Sequence, residues 1–361
     1  MPTPHRRPQP HPQAAPITAA THAPRVSIVV PCRNERSHIE AALASMLGQT
    51  DVSGGIEIIV ADGVSDDGTR EIIDRLSAAD ARLRIIDNPQ QIVSTGLNRA
   101  IEAARGEFVL RMDTHSVYAP DYVACCLAAL QRSGAQNVGG PARTRADSFF
   151  QRANALAYHS PFSVGGARFH DPDYEGWVDT VTYGCWRKQT LLDLGLFDEQ
   201  LVRNQDDELN LRLVRGGGRI WQTPAIRSWY FPRASMAGLF RQYQQYGYWK
   251  VAVIRKHRLP ASVRHLVPGT FVAALLVLGA LSAVSATARF ALALLVGAYL
   301  LVDGAASAVT CRRAPNRRYL GVMPFVFAAY HLGYGWGFLR GVIDFLVLKR
   351  GPADAFHKLT R

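Results

Sequence analysis

Short β-branched runs alternate with amphipathic stretches through the first 130 residues. Val26-Ser27-Ile28-Val29-Val30, ending at Pro31, reads as a strand buried on both faces. Ser37-His38-Ile39-Glu40 then opens Ala41 to Leu47, an amphipathic helix with a serine at its N-cap. Ile56 to Ala61 predicts a second buried strand that ends directly on Asp62. Thr69 to Leu76 reads as a helix, Leu83 to Ile86 as a third strand, and Ile92 to Ala104 as a helix closed by Gly106. Phe108 to Met112 is a fourth strand ending on an acid, Asp113. This alternation predicts an α/β fold with a mainly parallel sheet. Ligands in such sheets bind beyond the carboxyl ends of the strands, where Asp62 and Asp113 fall.

Pro120 to Leu130 is a further helix, and 134–185 is loop-rich in Gly, Ser, Arg and aromatics, as suits a region that covers a substrate. Asp207 to Arg215 predicts a short helix ended by Gly216-Gly217-Gly218. Ser235 to His257 is amphipathic and carries Tyr243, Tyr246, Tyr248 and Trp249. Leu266 to Ala288 contains no charged residue and Phe290 to Thr310 only Asp303, so both read as membrane helices. Tyr319 to Leu348 is apolar but interrupted by Gly333, Gly335, Gly337 and Arg340, which predicts a broken or re-entrant segment. The expected organisation is a disordered leader (1–24), a nucleotide-binding α/β domain (25–234), an amphipathic interfacial helix (235–265), a membrane segment of two to four crossings (266–348) and a basic tail (349–361).

The formal charge of +12 changes the picture once it is located. From Lys250 onward there are 15 Lys/Arg against 3 Asp/Glu, while up to Trp249 the counts are 26 and 26. The whole excess flanks the apolar segments, which favours an anionic membrane surface over nucleic acid. Arg255, Lys256, Arg258 and Arg264 precede the first apolar segment and Arg312, Arg313, Arg317 and Arg318 follow the second. Both clusters and the α/β domain are therefore expected in the cytoplasm, with Arg289 outside. Bending back at Gly333 to Gly337 would keep the basic C-terminus cytoplasmic as well. Five cysteines without paired spacing suit reduced thiols, and Arg6-Arg7 before a Pro-rich stretch does not suggest a signal peptide.

Three acidic clusters remain. In Asp62 to Thr69, Asp62 could accept hydrogen bonds from a base or ribose, with Gly63 and Gly68 keeping the backbone close; an Asp/Gly turn capping a helix accounts for the same residues. Asp113-Thr114-His115 sets two metal donors on one side of an extended segment, or else a strand-end cap beside a surface histidine. Asp206-Asp207-Glu208 opens a helix, where acids favour the dipole; the same place suits a general base, which Arg212 could orient. The aromatic and basic stretch Arg233 to Lys250 fits an interfacial helix or a lid.

The order and spacing of these features resemble the family 2 glycosyltransferases. The likeness is carried by VSIVVPCRNE (Val26 to Glu35), VADGVSDDGT (Val60 to Thr69), Gly96-Leu97-Asn98, Ala104-Arg105-Gly106-Glu107 and Met112 to His115. It continues through Gly195-Leu196-Phe197-Asp198-Glu199, RNQDDELNLR (Arg203 to Arg212) and Gln242 to Trp249. Within the family the chain looks most like the membrane glucosyltransferases of succinoglycan biosynthesis. The resemblance implies a GT-A-type fold, a nucleoside-diphosphate sugar donor such as UDP-glucose, a divalent cation (Mg²⁺ or Mn²⁺) and inversion at the anomeric carbon. It implies a polyprenyl-diphosphate-linked sugar as acceptor, in exopolysaccharide synthesis at the cytoplasmic membrane. By position, Pro31, Asn34, Glu35 and Asp62 would line the nucleotide pocket, Asp113 would meet the metal and diphosphate with His115, and Asp206 would be the base, with Asp207 its neighbouring alternative. His115 stands where many members carry a second Asp, and Gln205 where they carry an acid. Gln245-Tyr246-Gly247-Tyr248-Trp249 only echoes the Q-x-x-R-W motif of processive synthases, so single-sugar addition is expected. Two other classes compete. A sugar-phosphate nucleotidyltransferase would want a Gly-rich loop where Pro31 to Glu35 stands, and a non-catalytic membrane scaffold would use the acids as caps and surface charge.

Overall fold

The computed structural model describes residues 23–260 and 262–356. The expected leader 1–24 therefore lies outside the described residues but for its last two, as does the part of the basic tail after Phe356. The chain opens with β1 (Val26–Cys32), α1 (Ile39–Leu47), β2 (Ile56–Asp62), α2 (Thr69–Ala79), β3 (Leu83–Asp87), α3 (Val93–Ala103) and β4 (Phe108–Arg111). These four strands are parallel, in the order β3-β2-β1-β4, with Cys32 opposite Asp62 and Asp62 opposite Asp87. Alternation along β1 divides the core. Val26, Ile28 and Val30 pack with Ile39 and Leu43 of α1 and Ile73 of α2, whereas Val29 faces Leu97 and Ile101 of α3. Helices thus cover both faces, as a parallel sheet requires.

After β5 (Ser116–Tyr118) and α4 (Tyr122–Ser133), the chain adds β6 (Asn137–Gly140), β7 (Arg143–Thr144), α5 (Phe149–Tyr158), α6 (Pro161–Val164), β8 (Gly176–Val178), β9 (Thr182–Arg187) and α7 (Lys188–Asp193). Next come α8 (Gln205–Arg215), β10 (Ile220–Gln222) and β11 (Ser228–Tyr230). The main sheet has eight strands, β3-β2-β1-β4-β9-β6-β10-β8, and β5-β11-β7 form a small second sheet. β9 runs antiparallel to both β4 and β6, so the far half of the sheet is mixed. The stretch 134–185, expected to be loop, contributes two of these inner strands; the Gly139-Gly140 pair and Gly184 interrupt the β-branched pattern that would have revealed them. Ser37 does not cap α1 either. His38 and Ile39 donate their N–H groups to the Glu35 carbonyl, and the Ser37 hydroxyl meets His38 Nδ1.

The C-terminal part is helical: α9 (Met236–His257), α10 (Val267–Leu281), α11 (Ala286–Cys311) and α12 (Tyr319–Gly341), followed by a π-helical turn, Val342–Val347. Among the described residues, Val263–Leu281 and α11 are long and apolar enough to cross a membrane, with mean hydropathy 1.6 and 1.9. Leu294, Leu300, Leu301 and Val302 stand exposed along α11, as lipid-facing residues would. By contrast, α12 buries Met323, Phe327 and Tyr330 against Ala153 and Ala157 of α5 and Leu239 of α9. It continues as unbroken helix through Gly333 to Gly337, where a broken or re-entrant segment was expected. Those glycines mark a close crossing instead. A Cβ at Gly333 or Gly341 would lie 2.8 Å from the Phe240 or Tyr248 carbonyl oxygen, and one at Gly337 nearer still to that of Gln244. The matched four-residue steps make α9 and α12 parallel neighbours at backbone contact distance. Beyond α12, Asp344 accepts hydrogen bonds from Tyr248, Arg340 and Arg350, and Phe356 stacks on Tyr248.

Candidate functional site

A cavity of about 1250 Å³ lies beyond the carboxyl ends of β1 and β4 and is walled on its other side by α5, α9 and α12. Pro31, Asn34, Glu35, Asp113, His115, Asp206 and Asp207 all stand on its wall. Residues far apart in sequence meet there because the parallel strands β1 and β4 deliver their ends to one edge, where the head of α8 joins them.

The loop after β1 is fixed by the loop after β2. Asn34 takes a left-handed conformation (φ 54°) and its side-chain amide exchanges two hydrogen bonds with Asp66, at 2.8 and 3.0 Å. Its backbone N–H donates to Ser65 Oγ, and that of Glu35 to Thr69 Oγ1. Asp62 sits one layer behind, 2% exposed and not on the cavity wall. Its carboxylate accepts the Ser65 hydroxyl at 2.6 Å and the Arg70 guanidinium at 3.4 Å, so it braces the loop that holds Asn34. That placement differs from the expected pocket-lining position. Asp67 accepts from the Thr69 N–H and hydroxyl in a turn just before α2, whose N-cap position is Gly68 and carries no side-chain cap.

At the end of β4, Arg111 grips Asp113 with two hydrogen bonds, 2.9 and 3.0 Å. Burial alone would raise the Asp113 pKa, but Arg111 outweighs it and holds the carboxyl below its usual range. His115 Nε2 lies 4.0 Å from Asp113 Oδ2. Its part-exposed ring opens onto the cavity, where desolvation, against the pull of Asp113, pushes its pKa down to about 4. Arg233, Arg111 and Arg203 act in the same direction. The imidazole is therefore neutral, with a lone pair to give. An ionised carboxylate beside a neutral imidazole fits a divalent cation. Among the described residues no third His, Cys, Asp or Glu joins them, so the fit is to a cation whose other ligands come from a bound molecule.

The acidic run at the head of α8 separates into three environments. Asp206 is 44% exposed to the cavity, accepts the Asp207 N–H at 2.9 Å, and lies 4.0 Å from Arg111 Nη1. Asp207 is ion-paired with the buried Lys250 of α9. Glu208 is wholly buried between Arg212, Lys256 and His257. Burial would raise its pKa, yet these partners keep it below the usual carboxylate range. The orienting arginine expected for this run thus serves Glu208, a brace between α8 and the end of α9.

Sequence reading missed Arg111, and the signal was there: a guanidinium inside the apolar strand Phe108 to Met112 has to be paired. Lys250 and Arg203 were also passed over as individual residues. Arg203 donates from Nε to Gln245 Oε1 at 3.2 Å, while Trp249 is turned away from the cavity and donates to the Phe356 carbonyl. The echo of the processive motif is therefore split between the site and the core.

Comparison with known proteins identifies the family and the fold. Residues 27–193 match the family model described as Glycosyl transferase family 2. The chain is 33% identical to the succinoglycan biosynthesis protein ExoA of Rhizobium meliloti, over 88% of this chain and 95% of that protein. It is 27% identical to the dolichyl N-acetyl-alpha-D-glucosaminyl phosphate 3-beta-D-2,3-diacetamido-2,3-dideoxy-beta-D-glucuronosyltransferase of Methanococcus voltae, over 64% of this chain and 74% of that one. Among solved structures, the mannosyltransferase PcManGT of Pyrobaculum calidifontis, in complex with GDP-Man and Mn²⁺, superposes with a TM-score of 0.57 at 21% identity, covering 88% of each chain. That likeness is one of fold and gives the architecture as GT-A-like, with a mainly parallel sheet. With one relative a third identical along nearly its whole length, and the family's sequence motifs on the strands that build the site, this chain belongs to glycosyl transferase family 2.

Proposed function

We propose that this glycosyltransferase transfers glucose, with inversion, from UDP-glucose to a polyprenyl-diphosphate-linked saccharide in exopolysaccharide or cell-surface glycan synthesis. The catalytic domain would face the cytoplasm. The observation that carries this reading is the Arg111 guanidinium, which grips Asp113 and stands 4.0 Å from Asp206 in a cavity that also reaches Val267 and Pro268 of the first apolar helix. A leaving-group side and an attacking side thus share one charged divider, next to the membrane.

Asp206 is our candidate base. It faces the cavity, whereas Asp207 is neutralised by Lys250 and Glu208 is buried among cations. In a single displacement the acceptor oxygen forms a bond to the anomeric carbon, its proton passes to Asp206, and the bond to the diphosphate oxygen breaks with its electron pair leaving on the nucleoside diphosphate. A divalent cation held by Asp113 and His115 would supply charge stabilisation to that leaving group. Arg111 keeps Asp113 ionised and oriented, and Pro31, Asn34 and Glu35 wall the nucleotide side. The GDP-Man and Mn²⁺ bound in the mannosyltransferase support a nucleotide-sugar donor and a divalent cation in general. The dolichyl phosphate in the archaeal relative's name supports a lipid-linked acceptor.

A donor screen tests the reading. The full chain in detergent is offered UDP-, GDP- and dTDP-sugars with membrane lipid extract, and free nucleoside diphosphate is counted. Lipid-dependent UDP release from UDP-glucose is expected. Release from no donor, or pyrophosphate from a nucleoside triphosphate, overturns it.

A further inference from the structure

The cavity wall carries seven Lys and Arg against four Asp and Glu, a surplus of three positive charges. A nucleoside-diphosphate donor brings about two negative charges and a divalent cation two positive ones, so together they leave that surplus standing. Asp179, off the wall, offsets one of these charges through Arg264, and the rest leave room for a further anion. Two of the cations lie where the catalytic domain meets the first apolar helix. Lys250 is buried beside Asp207, and Arg264 lies in the stretch Val263–Leu281, its Nη2 2.6 Å from Asp179 Oδ2. His265 is on the same wall, its Nδ1 buried and without a hydrogen-bond partner among the described residues. Val267 and Pro268, the first turn of α10, complete this end of the cavity, and no side chain caps that helix.

We propose that Lys250, Arg264 and His265 form a subsite for the diphosphate of an isoprenoid-linked acceptor, holding it at the junction of cavity and membrane while its sugar reaches Asp206. This rests on the reading that the acceptor is lipid-linked. The acids already paired there do not fill these groups: an ammonium has three N–H donors and a guanidinium five, enough for a carboxylate and a phosphate oxygen together. The helix N-terminus adds favourable partial charge for the same anion. An acceptor anchored in the bilayer would come to this end of the cavity first, since Val267 and Pro268 stand near the start of the stretch able to span it, Val263–Leu281.

The test is calorimetric binding to the full chain in nanodiscs, with farnesyl diphosphate as probe and farnesol, inorganic pyrophosphate and UDP as comparisons. Wild type should bind farnesyl diphosphate about tenfold or more tightly than either farnesol or pyrophosphate, since both the phosphates and the apolar lip contribute. Arg264→Gln combined with His265→Gln should weaken farnesyl diphosphate about tenfold or more, with UDP affinity held within about twofold and partial recovery in Arg264→Lys. Equal binding by variant and wild type overturns the subsite and leaves the lipid-linked acceptor standing. A parallel loss of UDP overturns it by assigning the cluster to the donor, and pyrophosphate binding as tight as farnesyl diphosphate overturns the lipid source. No binding of farnesyl diphosphate by wild type removes the subsite and the lipid-linked reading together.

Discussion

The guanidinium of Arg111 donates to both oxygens of Asp113, Nε to Oδ1 at 2.9 Å and Nη2 to Oδ2 at 3.0 Å, and so fixes the carboxylate plane at the end of β4. Its remaining nitrogen, Nη1, is buried, makes no hydrogen bond among the described residues, and points toward Asp206 Oδ2 at 4.0 Å. Arg111→Lys keeps the charge and loses the fork. We expect kcat to fall about tenfold or more, with a higher metal concentration needed for half-maximal activity. An unchanged metal titration at normal kcat would reduce Arg111 to a packing role.

The donor pair itself predicts metal dependence. Activity should require Mg²⁺ or Mn²⁺, with Mn²⁺ well tolerated because imidazole is a softer ligand than carboxylate. Asp113→Ala should abolish transfer, and His115→Asp should move the preference toward Mg²⁺. Full activity in excess chelator, measured on protein with a normal melting curve, contradicts both assignments.

For the base, Asp206→Asn preserves size and hydrogen bonding but removes proton affinity, so transfer should fall by about 100-fold or more while donor binding survives. Asp207→Asn removes the carboxylate in contact with the buried Lys250, leaving it only the more distant Asp206 and Asp179, and is expected to lower stability more than it lowers kcat. Single-turnover rates with both variants decide it. Near-normal transfer by Asp206→Asn, with the loss in Asp207→Asn, moves the base by one residue.

How far these placements were legible differs residue by residue. The strand-to-acid junctions at Asp62 and Asp113 could be read because a parallel sheet needs continuous apolar strands and presents their ends on one edge. Periodicity could not show that Asp62 turns back onto Ser65 and Arg70, since a turn aspartate and a ligand-binding one have the same local sequence. β6 and β9 were hidden by glycines at Gly139, Gly140 and Gly184. Gly333 and Gly337 were misread for a related reason. Glycine permits both a break and a close approach, and only the carbonyls of Phe240 and Gln244, some 93 residues earlier, decide between them. The three adjacent acids at Asp206 to Glu208 looked equivalent; their partners on α9 come from over 40 residues downstream.

Glu208 gives a stability prediction with a definite sign. Its folded pKa is depressed, burial being outweighed by Arg212, Lys256 and His257. The unfolded chain therefore binds a proton more readily, and the contribution is fully present above the unfolded value of about 4.3 and lost as pH falls through the folded one. Glu208→Gln should cost about 1–3 kcal/mol at pH 7, since it removes the buried charged acceptor shared by Arg212, Lys256 and His257. It should also flatten the acid limb of a melting-temperature profile between pH 7 and 3. A variant that melts like wild type at pH 7 would show that the brace between α8 and α9 is dispensable.

Membrane topology is the last prediction. The two stretches fit to cross, Val263–Leu281 and Ala286–Cys311, are joined by a short turn at Ser282 to Ser285, with Arg289 folded back onto the Ser282 carbonyl. Basic clusters flank the far ends of both, which by the positive-inside rule keeps those ends cytoplasmic and sends the turn across. A third simple crossing by α12 would export Lys349, Arg350, Lys358 and Arg361. The packing argues against it on independent grounds. Tyr330 donates to Asn154 of the catalytic domain at 2.7 Å, and α12 runs parallel to α9 at backbone contact distance. Phe356, beyond it, stacks on Tyr248. Contacts at both levels with the catalytic domain and α9 favour an α12 that stays on their side of the bilayer, although Gly335 and Phe338 also meet Pro268 and Gly269 of α10. A periplasm-active reporter inserted at Val284 should be strongly active, and the same reporter after Arg361 silent. Strong periplasmic activity after Arg361 would mean that α12 leaves α9 and crosses, so that both the charge rule and the glycine-mediated contact fail at that end.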